Sequence, residues 1–77
     1  MVKLYSTPTC PWCHWAKEFL KTNNIVFEDI NVAADEDAAR EMIEKSGQMG
    51  VPVLDIDGKI IIGFNIEAIK KALNLKS

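Results

Sequence analysis

The run Val2-Lys3-Leu4-Tyr5-Ser6-Thr7-Pro8-Thr9-Cys10-Pro11-Trp12-Cys13 decides how the chain is read. Its first five residues are mostly apolar and predict a short strand, buried on both faces. Ser6 to Thr9 predicts a turn, because Pro8 fixes its own φ and keeps Thr7 out of the helical region. A helix then begins. Thr9 or Cys10 falls near its N-cap, and Pro11 suits the first helical position, where an N–H would be unpaired anyway. Cys10 and Cys13 are the only two cysteines in the 77 residues. A Cys-x-x-Cys at a strand-to-helix junction of a small chain points to a redox-active dithiol. The first cysteine meets the unpaired N–H groups and the positive dipole end of the helix, which favour a thiolate. The thiolate is the species that attacks disulfides. Cys10 is therefore the candidate nucleophile, and Cys13, one turn further on, the candidate resolving thiol.

Outward from this run, apolar residues Trp12, Trp15, Ala16, Phe19 and Leu20 recur at helical spacing and predict a first helix over about 11–23. Lys17, Glu18 and Lys21 fall on its other faces, and Asn23-Asn24 suits its C-cap. Ile25 to Ile30 predicts a second strand, with Ile25, Phe27 and Ile30 toward the core. Asp35-Glu36-Asp37 places three acids where a second helix begins. Ala38, Ala39, Met42 and Ile43 form its apolar stripe, and Ser46-Gly47 ends it. Val51 to Ile56 predicts a third strand opening with Pro52, and Asp57-Gly58 a hairpin turn into a fourth strand, Lys59 to Ile62. Gly63-Phe64 is a tight bend. Asn65 caps a third helix whose inner stripe is Ile66, Ile69, Ala72 and Leu73, with Glu67 early and Lys70, Lys71 and Lys76 late. The order βαβαββα follows. Its first βαβ unit requires parallel strands joined by a right-handed crossover.

A chain of this length forms one small domain, and a hydrophobic content of 48% suffices for a packed core. The formal net charge is −2, with no basic run, which argues against nucleic acid. Ile60-Ile61-Ile62 is the longest apolar run and is far too short to cross a bilayer. No charged segment followed by an apolar one opens the chain, so the sequence reads as cytoplasmic. In a reducing compartment two cysteines so spaced are catalytic or metal-binding more often than structural.

The same residues offer other chemistries. Zinc calls for about four ligands, and beside the cysteines only His14 is offered. Cys10-x-x-Cys13-His14 also fits the pattern for covalent haem attachment, with Met42 or Met49 as a conceivable distal ligand. Against it stand the strand-rich pattern and the absence of a visible export signal. His14 reads as solvent-facing. Val51-Pro52 suits a cis peptide bond that presents the Val51 backbone to an extended substrate, although trans is the commoner state of an X-Pro bond. Trp12 reads equally well as core packing or as an exposed ring beside the thiol. The helix start at Gly63-Phe64-Asn65 reads as an ordinary cap or as a carboxylate site.

Taken together, Thr9-Cys10-Pro11-Trp12-Cys13-His14, Gly50-Val51-Pro52 and Ile62-Gly63-Phe64-Asn65 resemble a small dithiol glutaredoxin, with Trp12 in place of the more usual tyrosine. The resemblance spans nearly the whole chain. It implies a thioredoxin-like α/β fold, with a four-stranded mixed sheet flanked by three helices in one domain over 1–77. It also implies a monomeric thiol-disulfide oxidoreductase that uses glutathione as co-substrate to reduce protein disulfides and glutathionylated proteins, with no metal. By this resemblance Cys10 attacks, Val51 beside a cis Pro52 binds the cysteine part of glutathione, and Gly63, Phe64 and Asn65 receive a carboxylate. Thr7 and Trp12 complete the expected binding residues. Two departures stand out. Thr7 occupies the place of a frequent lysine or arginine, and Ile66 follows Asn65 where two acids are frequent. Gly63-Phe64 instead resembles the glutaredoxin-like redoxins that serve ribonucleotide reductase and are recharged by thioredoxin reductase. A third alternative is an iron–sulfur, other metal or haem module.

Overall fold

The computed structural model of the protein describes residues 2–74, so Met1 and the expected late Lys76 lie outside them. The elements are β1 (Val2–Ser6), α1 (Pro11–Thr22), β2 (Phe27–Asn31), α2 (Glu36–Ser46), β3 (Val53–Ile56), β4 (Lys59–Ile62) and α3 (Ile66–Leu73). The sheet runs β2-β1-β3-β4. β1 and β2 are parallel, while β1 with β3 and β3 with β4 are antiparallel. This is the mixed four-stranded sheet and βαβαββα order expected from the sequence.

Side chains alternate across a strand, so β1 feeds two cores. Val2 and Leu4 join Leu54, Ile56 and Ile61 on one face, packed against Ala16 and Leu20 of α1 and Ile69 of α3. Tyr5 and Val53 face the other way, onto Met42 of α2. The dithiol at the start of α1 is thus fixed to the sheet by a fully buried helix face. Each such aliphatic side chain contributes about 1.5–3 kcal/mol by leaving water.

Several boundaries and faces differ from the sequence reading. Trp15 is 57% exposed, because Cys13, Ala16 and Leu20 take the inward helical positions; Trp12, at 61%, follows the exposed one of its two readings. Trp15 is therefore no part of the inner stripe. Lys17 is not simply on an outer face; it is half-buried, with its Nζ 2.9 Å from Asp29 Oδ2. β2 starts at Phe27 rather than Ile25, and Ile30 packs on the Tyr5 side, opposite Phe27. β3 starts at Val53 rather than Val51, since Pro52 has no N–H for a ladder. Ile66, at the first turn of α3, is exposed, and Ala68 packs in its stead.

The helix ends follow their chemistry. Asp35 Oδ1 accepts the Ala38 N–H at 3.1 Å to cap α2. α2 stops at Gly47, whose φ of 75° is a left-handed conformation that glycine adopts without strain. Lys45, in the last turn, reaches back to the sheet. Its Nζ donates to Asp55 Oδ2 at 2.6 Å and to the Tyr5 hydroxyl at 3.0 Å, and pairs with Glu41 Oε1 at 2.9 Å. Tyr5 in turn donates to Glu41 Oε1 at 2.6 Å. The hydrogen bond from Tyr5, then that from Lys45, hold the Glu41 carboxyl down at about 2. Lys45 likewise lowers Asp55, while burial raises Tyr5. The network clamps α2 to β1 and β3, just ahead of the loop that leads to Val51.

Candidate active site

The turn after β1 delivers Cys10 to the N-cap of α1, in an extended conformation with φ −92° and ψ 111°. Pro11 fills the first helical position, as its fixed φ and missing N–H allow. The Cys10 N–H donates to the Thr7 carbonyl at 3.4 Å, and the Cys10 carbonyl accepts the His14 N–H at 3.3 Å. The side chain is held as a cap: the Cys13 N–H donates to Cys10 Sγ at 3.1 Å. The thiol points at the Val51 carbonyl, 3.9 Å away.

Cys13 lies one turn deeper and is 1% exposed. Burial first, then the contact with Cys10, pushes its thiol up to about 12; a Thr7 backbone hydrogen bond and the positive charge of Lys17 pull the other way. The pair is asymmetric: one thiol is reachable and capped by an N–H, the other protonated and covered.

The Val51–Pro52 peptide is cis. The Pro52 carbonyl accepts the Gly63 N–H at 2.9 Å, so the loop before β3 and the bend after β4 are tied together. Between that tie and the start of α1 lies a groove of about 280 Å³ lined by Trp12, Val51, Pro52, Gly63 and Phe64. Gly63 takes φ 81°, which turns the chain into α3. Phe64 is steadied by an edge-on contact with Phe19, at 6.2 Å between ring centres.

Five of the expected binding residues thus share one groove, and Cys10 adjoins it through Val51. Thr7 does not line the groove; its carbonyl accepts the Cys10 N–H. Asn65 caps α3 as expected, its side chain accepting the Ala68 N–H at 3.1 Å, and it does not line the groove. The Gly63 N–H is already taken, since it donates to the Pro52 carbonyl. The haem constellation is not brought together. His14 is exposed with its ring 5.9 Å from Trp15, Met42 lies across the sheet, and Met49 is 78% exposed. Among the described residues no group of three or more His, Cys, Asp or Glu is placed to hold a metal ion. Among them, too, no helix is long and apolar enough to cross a membrane.

Two features escaped the sequence reading. Lys17 stands one turn after Cys13, a spacing that puts both on one helix face. The Tyr5–Glu41–Lys45–Asp55 network joins residues that only the register of β1 with β3 and the docking of α2 bring together.

The family model for Glutaredoxin matches residues 2–61. The chain belongs to the glutaredoxin family. Among glutaredoxin relatives, an uncharacterized glutaredoxin-like 8.6 kDa protein in the rubredoxin operon of Clostridium pasteurianum is 56% identical over 95% of this chain and 97% of its own length. Glutaredoxin 3 of Escherichia coli (strain K12) is 36% identical over 80% of this chain and 75% of its own. The glutaredoxin-like protein NrdH of Lactococcus lactis subsp. lactis is 32% identical over 92% and 97%. Among solved structures, a mutant of the thioredoxin-like protein BC3987 superposes with a TM-score of 0.92 at 35% identity, covering 97% of this chain and 96% of that one. The protein is a glutaredoxin-like thiol redox protein with a thioredoxin-like fold.

Proposed function

We propose that the protein is a thiol-disulfide oxidoreductase that reduces protein disulfides and glutathione mixed disulfides, with glutathione as its reductant. Cys10 attacks the substrate disulfide. Its sulfur bonds to one substrate sulfur while the other leaves as a thiolate. Cys13 then attacks Cys10 and releases the second substrate thiol, leaving a Cys10–Cys13 disulfide that two thiols of glutathione reduce. The observation that carries this reading is the capped and reachable Cys10 beside a groove whose wall offers the Val51 backbone. Cys10→Ser abolishes both activities on this reading. Cys13→Ser keeps the removal of glutathione from mixed disulfides and loses the two-thiol route to protein disulfides.

One observation favours a second reading, recharge by thioredoxin reductase. The groove is lined by apolar and backbone surface without a charged side chain, and Thr7 adjoins Cys10 where a cation would meet a glutathione carboxylate. A single exposed carboxylate contact is worth only about 1 kcal/mol, so its absence weakens glutathione binding without abolishing it. The readings separate when NADPH oxidation is followed with glutathione plus glutathione reductase, and then with thioredoxin reductase alone. Turnover in the first mixture only supports glutathione; turnover in the second only overturns it.

A further inference from the structure

We infer that Lys17 is a positioning residue for the second half of the exchange, its ammonium favouring the Cys13 thiolate that attacks Cys10. This rests on the two-thiol reading above. Lys17 follows Cys13 by four residues on α1, so the two share a face of the helix. That face turns toward the sheet: Cys13 is buried, and the Lys17 side chain is only 25% exposed. A lysine free to extend into water would exert little field on a buried neighbour. This one is held, with its Nζ 2.9 Å from Asp29 Oδ2 on β2. Asp29 is oriented in turn by Ser6, whose hydroxyl donates to Oδ1 at 2.9 Å and which is itself 2% exposed at the end of β1.

The groups acting on Cys13 explain why such a charge matters for this step. From the β1–α1 turn they are Cys10 and the Thr7 backbone; from α1 itself, Lys17. In the reduced protein Cys10 opposes ionisation of Cys13. Once Cys10 is bonded to a substrate sulfur it carries no charge, and that opposition ends. Burial then remains against ionisation, with the Thr7 backbone and Lys17 for it. The step is balanced: Cys13 loses its proton to water, its thiolate bonds to Cys10 Sγ, the Cys10–substrate bond breaks, and the substrate sulfur departs with the electron pair and takes up a proton. Lys17 takes no part in bond making. Asp29 offsets part of its charge, so its effect stands at the lower end for a neighbouring opposite charge, about tenfold in thiolate population.

An aromatic disulfide, 5,5′-dithiobis(2-nitrobenzoate), tests this on the full chain. Cys10 releases one coloured thiolate in a phase whose rate follows reagent concentration. Cys13 releases the second in a phase that does not. Lys17→Met is expected to leave the first phase unchanged, to slow the second about threefold near neutral pH, the smaller thiolate population being partly offset by a more nucleophilic thiolate, and to move its pH midpoint upward. Lys17→Arg is expected to restore both. Coincident second-phase rates and midpoints in all three proteins overturn the inference. The unchanged first phase shows that the variant is folded; should it collapse, Lys17→Arg against Lys17→Gln repeats the comparison, and equal second phases again overturn it. Absence of a second release from the unaltered protein would overturn the two-thiol reading itself, and this inference with it.

Discussion

Replacing Lys45 by methionine probes the clamp that fixes α2 and the loop behind the groove. The Nζ sits 2.6 Å from Asp55 Oδ2, 2.9 Å from Glu41 Oε1 and 3.0 Å from the Tyr5 hydroxyl. Methionine keeps most of the side-chain volume, so the loss is electrostatic. Asp55, whose side chain is 13% exposed, then keeps a charge with its main partner gone. Removing one partner of a fully buried pair costs about 3–5 kcal/mol. Lys45 is 28% exposed, so part of that field is already screened. A cost of about 2 kcal/mol follows, or roughly 8–16 °C in melting temperature for a domain of this size. Thermal unfolding followed by circular dichroism at pH 7 reads it directly. The gap to the unaltered protein should narrow at low pH, where the carboxylates no longer need a cation. A loss under about 0.5 kcal/mol, the size of an ordinary surface substitution, would refute the reasoning, as would a gap that ignores pH.

Other outcomes follow from the same geometry. Glu41 and Asp55 are held below their ordinary values in the folded protein, so their contribution to stability is complete above the unfolded carboxylate range. It declines as pH falls from about 4.5 toward about 2, the folded value of Glu41. Chemical denaturation across that window should show the decline, and Glu41→Gln should flatten it. Trp12→Ala removes an exposed ring from the groove wall without touching the cores; it should raise KM for a glutathionylated substrate about threefold to tenfold and leave the melting temperature nearly unchanged. A Cβ at Gly63 meets open space, so only the positive φ opposes Gly63→Ala; a loss of about 1–2 kcal/mol is expected by thermal unfolding.

The fold was legible because the chain punctuates itself. Pro8 and Pro11 bracket the entry to α1, Asp57 and Gly58 take the positive φ values of a tight hairpin, and Asn65 caps α3 as its side chain predicts. Trp12, Val51-Pro52 and Gly63-Phe64 were legible as separate candidates, but their meeting in one groove only through the resemblance: Val51 and Gly63 lie far from Cys10 in sequence, and nothing local brings them to it. Helix faces were less well read at the ends of elements. Trp15 and Ile66 look like core by hydropathy, but a buried cysteine and the alanines of α1 and α3 set which face turns inward. The charged network stayed hidden because a lysine in a last helical turn looks like simple dipole compensation until β3 places Asp55 beneath it.

On the proposed mechanism Cys10 carries the exchange and Cys13 completes it. Reduction of a glutathionylated peptide and of a protein disulfide, each measured with unaltered protein, Cys10→Ser and Cys13→Ser, tests it most directly. Cys10→Ser should turn over neither substrate, and Cys13→Ser the peptide alone. Undiminished turnover by Cys10→Ser, or equal retention of both activities by Cys13→Ser, would contradict it.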